Sequence, residues 1–139
     1  MTPLLLAVPL VFAAPIPKEF KAVKTDAELF VGVWEIVVSN HHDKDNAGSI
    51  GIRYEFQADG TCVIVHQDKS RHPVKYSLDP KGKPKTYLWV CPWGTWKGVY
   101  ELDGDTMKIA AVSHNGGDLP PAAQPGPNVE YSEMKRVKE

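Results

Sequence analysis

Apolar residues along most of the chain recur at every second position, the spacing of a strand with one face buried. Trp34, Ile36 and Val38 alternate with Glu35, Val37 and Ser39. Ile50, Ile52, Tyr54 and Phe56 alternate with Gly51, Arg53, Glu55 and Gln57, which is the cleanest run. Val74, Tyr76 and Leu78 form one face of a further strand, and Tyr87, Trp89 and Cys91 one face of another. Asp79-Pro80-Lys81-Gly82 between them reads as a turn. A last strand is expected over residues 129–137, with its alternation blurred by Glu133. Residues 39–48 are polar and read as a loop. Residues 114–128 hold Gly116-Gly117, Pro120-Pro121 and Gly126-Pro127; they suit neither helix nor central strand and read as a long, stiffened connection.

Two Asp-Gly pairs separate alternating runs and mark hairpins. At Asp103-Gly104 a two-residue loop pairs Leu102 with Asp105, Tyr100 with Met107 and Gly98 with Ile109, so Tyr100, Met107 and Ile109 share a face. At Asp59-Gly60 two registers compete. A two-residue loop sets Val63 and Val65 opposite Phe56 and Tyr54; a longer loop through Ala58 sets Cys62 and Ile64 there. The longer loop is preferred, because Val63 and Val65 tolerate the outer face no worse.

The expected fold is therefore all-β: a small antiparallel, lipocalin-like barrel of about eight strands. Closure removes the exposed edges. A sandwich is the rival arrangement. Trp34, Ile36, Ile52, Tyr54, Phe56, Tyr76, Tyr87, Trp89, Tyr100, Leu102, Met107 and Ile109 are expected to face inward or pack at an end. One short helix precedes the strands, capped by Thr25 or Asp26.

The amino terminus changes the picture of location. Residues 3–16 are apolar and uncharged, with Val11-Phe12-Ala13 as a small-residue pattern before a cut after Ala13. Residues 1–13 are thus expected to be a secretory signal peptide, 14–28 a linker with the short helix, and 29–139 the barrel. The expected location is periplasmic or secreted. A net charge of −1 and a pI near 6.5 argue against a nucleic-acid groove. No apolar run is long enough to span a membrane as a helix. A monomer is expected.

Three stretches carry a resemblance. Gly32-Val33-Trp34 is similar to the Gly-x-Trp of lipocalin-type barrels, whose Trp packs across the closed end. The order of residues 81–86 (KGKPKT), 98–109 and 134–138 resembles a family of small exported domains abundant in planctomycete bacteria, described as lipocalin-like or of unknown function. The resemblance spans about residues 29–138, and 98–109 is its most specific part. Two departures stand out: Trp93 and Trp96 precede Gly98, and Ala110-Ala111-Val112 replaces a cysteine or bulkier apolar residues. The resemblance implies a barrel-like fold and an extracytoplasmic location, and no catalytic residues.

Candidate chemistry is sparse. His41-His42-Asp43 with Asp45 offers imidazole and carboxylate to a divalent metal, although adjacent strand residues face opposite ways. A metal-dependent enzyme using His41, His42 and Asp45 is one alternative; it requires at least two of His41, His42, His66, His72, His114, Asp43 and Asp45 to meet in a cleft. Cys62 and Cys91 lie on strands that a meander keeps two apart, about 9.5 Å, beyond bridging distance. Two buried thiols are the simpler expectation, with a disulfide requiring a sheared barrel end or a different strand order. No serine sits in a nucleophile motif and no phosphate loop exists. The aromatic cluster is the most suggestive feature. Trp89, Trp93 and Trp96, near Tyr87 and Tyr100, form either core or a stacking surface, with Trp93 and Trp96 placed in a connection. The favoured function is a non-catalytic module without cofactor that binds a small apolar or carbohydrate-like ligand through these five residues. The other alternative is a filled barrel that docks a protein through an exposed Trp93–Trp96 patch.

Overall fold

The computed structural model describes residues 23–112 and 118–138. The expected signal segment, Ser113 and His114 lie outside these. A helix α1 (Asp26–Phe30) leads into β1 (Gly32–His41), followed by β2 (Lys44–Asp45), β3 (Arg53–Phe56), β4 (Thr61–Val65), β5 (Arg71–Asp79), β6 (Thr86–Cys91), β7 (Gly94–Asp103), β8 (Thr106–Val112) and β9 (Val129–Arg136). Every neighbouring pair is antiparallel, and β1 pairs with β9 as well as with β3. Eight strands therefore close into a barrel, with the two-residue β2 appended beside the end of β1. Closure leaves no long row of unpaired backbone groups.

One end is plugged. Thr25 caps α1, accepting from the Glu28 amide while its hydroxyl donates to the Glu28 carboxylate. The helix reaches past residue 28 so that Phe30 enters the core, edge-on to Phe56 and Tyr100 at 5.1 Å. Trp34 is fully buried beneath it and donates its Nε1–H to the Phe30 carbonyl at 2.9 Å. Arg136 stacks on the Trp34 ring at 4.3 Å and donates to the carbonyls of Leu29 and Val31. The guanidinium and the Trp34 indole together thus satisfy the helix end, which would otherwise leave its carbonyls unpaired.

Asp26 ties the plug to the wall, accepting from Lys85 Nζ at 2.9 Å and from the Tyr100 hydroxyl at 2.7 Å. Burial pushes this carboxyl's pKa up, but the Lys85 and Tyr100 bonds and the Lys85 charge outweigh it and hold it below the ordinary value. A depressed folded pKa contributes stability that is fully present above the unfolded pKa, near 3.8, and is lost as pH falls through the lower folded value. Thermal midpoints measured from pH 6 down to pH 2 should therefore converge for the wild type and Asp26→Asn at the acid end, with the wild type ahead at pH 6. A gap that stays constant with pH would refute this role.

The hairpin at Asp59-Gly60 takes the longer loop: Phe56 faces Cys62 and Tyr54 faces Ile64, and Cys62 is fully buried. The hairpin at Gly104 keeps its faces but shifts register. Leu102 faces Met107, Tyr100 faces Ile109, and the loop is Gly104-Asp105, with glycine leading at φ +58°. A shift of two leaves side-chain direction unchanged. Two elements differ more. The regular run expected from Ile50 is broken by a 3-10 turn at Ala47–Ser49 and by Gly51 at φ +90°, so the strand starts only at Arg53 and Ile50 is exposed. The expected polar loop at 39–48 is partly strand, because β1 runs on to His41 and turns back through His42 and Asp43, both at positive φ.

A bulge in β1 between Ile36 and Val38 changes the face of every residue after it. Val38, expected beside Trp34 and Ile36, is exposed, and Ser39 turns inward opposite Ser132. Outside the barrel, Leu119 and Ala123 pack over Val99, Ala110, Val129 and Tyr131. Residues 119–123 of the proline-rich connection thus form a second layer on β7, β8 and β9. Cys62 and Cys91 are both buried free thiols, with β5 between their strands.

Candidate functional site

The end opposite the plug is open. Here β1 ends, β6 turns into β7 through Pro92 and Trp93, and β9 begins. A cavity of about 200 Å³ enters the barrel at this mouth. That is somewhat larger than a cavity that accepts one benzene, about 150 Å³.

Its walls are of two kinds. Tyr54 from β3, Tyr87 and Trp89 from β6, Trp96 from β7 and Trp93 from the turn make an aromatic arc. Trp89 meets Tyr54 at 5.1 Å and Tyr87 at 5.4 Å, both edge-on. Trp93 is 56% exposed and stands at the rim against His72 at 5.9 Å, which in turn meets His66 at 5.0 Å. Ile64, Ile109 and Ala111 add apolar surface. The other wall is a polar stripe on β9. Residues 130, 132 and 134 of β9 face inward, so Glu130 and Ser132 line the mouth above the fully buried Met134. Among the described residues that line the cavity, Glu130 alone is charged. Its Oε1 lies 3.3 Å from Nδ1 of His41, the facing residue on β1.

Burial pushes the phenols of Tyr54 and Tyr87 far above the ordinary range. Cys62, Cys91 and the Glu130 charge add to this for Tyr54, and Tyr54 and Glu130 for Tyr87. Both rings therefore present neutral hydroxyls. The Trp89 indole N–H is buried with no hydrogen-bond partner. A buried donor left unpaired costs about 1–3 kcal/mol, so an acceptor that could reach it would recover that cost.

The five aromatic residues singled out from sequence are thus divided. Tyr87, Trp89, Trp93 and Trp96 line one cavity, whereas Tyr100 belongs to the plugged end, bound to Asp26 and packed on Phe30. Tyr100 also borders a more open groove of about 610 Å³ with Lys83, Lys85 and Pro121, but no aromatic arc converges there. Trp96, expected in a connection, sits in β7 and packs half-buried against the core, so it forms no joint exposed patch with Trp93. The reason is that the turn consumes only Pro92 and Trp93 before the strand resumes.

His41 and His42 do meet, with ring centroids 4.2 Å apart, but His42 Nδ1 contacts the Pro127 carbonyl and Asp45 accepts from Asn40. Among the described residues no three of His, Cys, Asp and Glu come close enough to hold a metal ion. Sequence reading missed Glu130 and Ser132 at the mouth, and the inward turn of Ser39 on the neighbouring strand. The alternation backward from Met134 would have placed the first two inward; Ser39 depends on the bulge, which has no sequence signature here. A scan of protein-family models finds no match for this chain, and no curated protein matches it.

Proposed function

We propose that this chain is an exported, non-catalytic barrel that holds one small, largely apolar ligand in its open mouth. The observation that carries the reading is the cavity of about 200 Å³ walled by Tyr54, Tyr87, Trp89, Trp93 and Trp96. Barrels of this strand number either fill with side chains or hold one small ligand. Here the plugged half is filled and the mouth is not. A wall of aromatic rings suits a flat or methyl-rich body, a sugar face included. Export rests on the apolar segment at residues 3–16 and on the resemblance to exported lipocalin-like domains.

Titration of the full chain with small aromatic, aliphatic and sugar probes should give a saturable change in Trp fluorescence for at least one class. Ala111→Leu, which fills the cavity from β8, should weaken that binding at least tenfold and leave the circular dichroism spectrum unchanged. No saturable response across the whole panel would sink the reading. Binding that Ala111→Leu leaves intact would move the ligand elsewhere.

A further inference from the structure

We propose that the ligand of the mouth cavity is a small organic cation, an amine or methylated ammonium that also carries an acceptor oxygen. This rests on the binding reading above and names the chemical class.

Three observations converge. First, the charge at the mouth is negative and partly open to a ligand: the Glu130 side chain is 36% exposed. Glu130 occupies the inward face of β9, on the same stripe as Ser132. Second, the facing wall is made of electron-rich rings, Tyr54, Tyr87, Trp89 and Trp96. The faces of such rings attract cations, most strongly where water is excluded. The two phenols keep their O–H, so they can donate to the carboxylate or to a ligand oxygen. Among the described residues that line the cavity none is lysine or arginine, and the one charge there is negative. Third, the Trp89 N–H is buried without a partner in the same wall. It calls for an acceptor, which a bare ammonium lacks and a hydroxyl or carbonyl supplies. A ligand with its cationic head between Glu130 and the rings, and an oxygen toward Trp89, satisfies all three. His41 shares the Glu130 carboxylate at 3.3 Å from the rim side, so a cation displaces or supplements that contact.

The test compares choline with its uncharged carbon analogue, in which a tert-butyl group replaces the trimethylammonium. Both are titrated into the full chain at pH 8 by calorimetry. Choline should bind about tenfold or more tightly than the analogue. Glu130→Gln should cut that preference to about threefold or less, the part the rings supply, while leaving analogue binding within about twofold. Equal binding of the pair to the wild type overturns the cation inference and leaves the apolar pocket standing. The same holds if the analogue, or any uncharged probe of the earlier panel, binds and choline does not. If no probe of any charge binds, the binding reading itself has failed. The wild-type comparison decides the matter even if Glu130→Gln does not fold.

Discussion

Replacing Trp34 by alanine is expected to lower stability by about 3–5 kcal/mol and the thermal midpoint by roughly 10–20 °C. Trp34 is fully buried, so its loss leaves a cavity as well as removing apolar contact. Two further supports go with it. The Phe30 carbonyl loses its donor, and Arg136 loses the ring it stacks on. Arg136 also holds the carbonyls of Leu29 and Val31, so α1 loosens together with the floor of the barrel. Circular dichroism at rising temperature measures the effect. A midpoint within about 3 °C of the wild type would mean that the plug does not depend on this residue.

The second large effect is expected at Gly98. Glycine there is a matter of space. An added Cβ would lie 2.5 Å from the Ala110 carbonyl oxygen and from the Tyr87 hydroxyl, and 2.6 Å from Tyr87 Cζ. The Ala110 carbonyl belongs to the β7–β8 ladder and is fixed by it. Both contacts must therefore open: the Tyr87 ring has to move aside and the β7–β8 ladder has to part at Ala110. Gly98→Ala should cost about 1–3 kcal/mol through overpacking. It should also disturb ligand binding, because Tyr87 forms part of the cavity wall. Urea unfolding measures the first effect and fluorescence titration the second. A variant equal to the wild type in both would refute the tight packing of Tyr87 over Gly98.

Much of the barrel was legible in the sequence because inward faces alternate with outward ones. The strands carrying Trp34, Tyr54, Trp89 and Tyr100 follow from that alternation alone. The Asp59-Gly60 register followed from asking which side chains tolerate water. What escaped was local backbone geometry. Ile50 and Ile52 continue the alternation into a turn, and only Gly51 between them hints at the break. The bulge after Ile36 exchanges faces without any glycine or proline to announce it. Pro92 and Gly94 suggested a broad connection, where the chain makes a tight turn and puts Trp96 in a strand. The site was half legible. Aromatic residues clustered in sequence drew the eye, whereas Glu130 lies far from them and breaks the apolar pattern of an inward face. Such breaks are where function is expected to override patterning.

The layer over β7, β8 and β9 has a consequence for substitution. In an ordinary small barrel every second residue is bathed by solvent and free to vary. Here Val99, Ala110 and Tyr131 have no wet side, because Leu119 and Ala123 roof them. A charged replacement at any of the three is as poorly tolerated as one in the interior, and the tolerance usual for the outer skin is left to the uncovered staves.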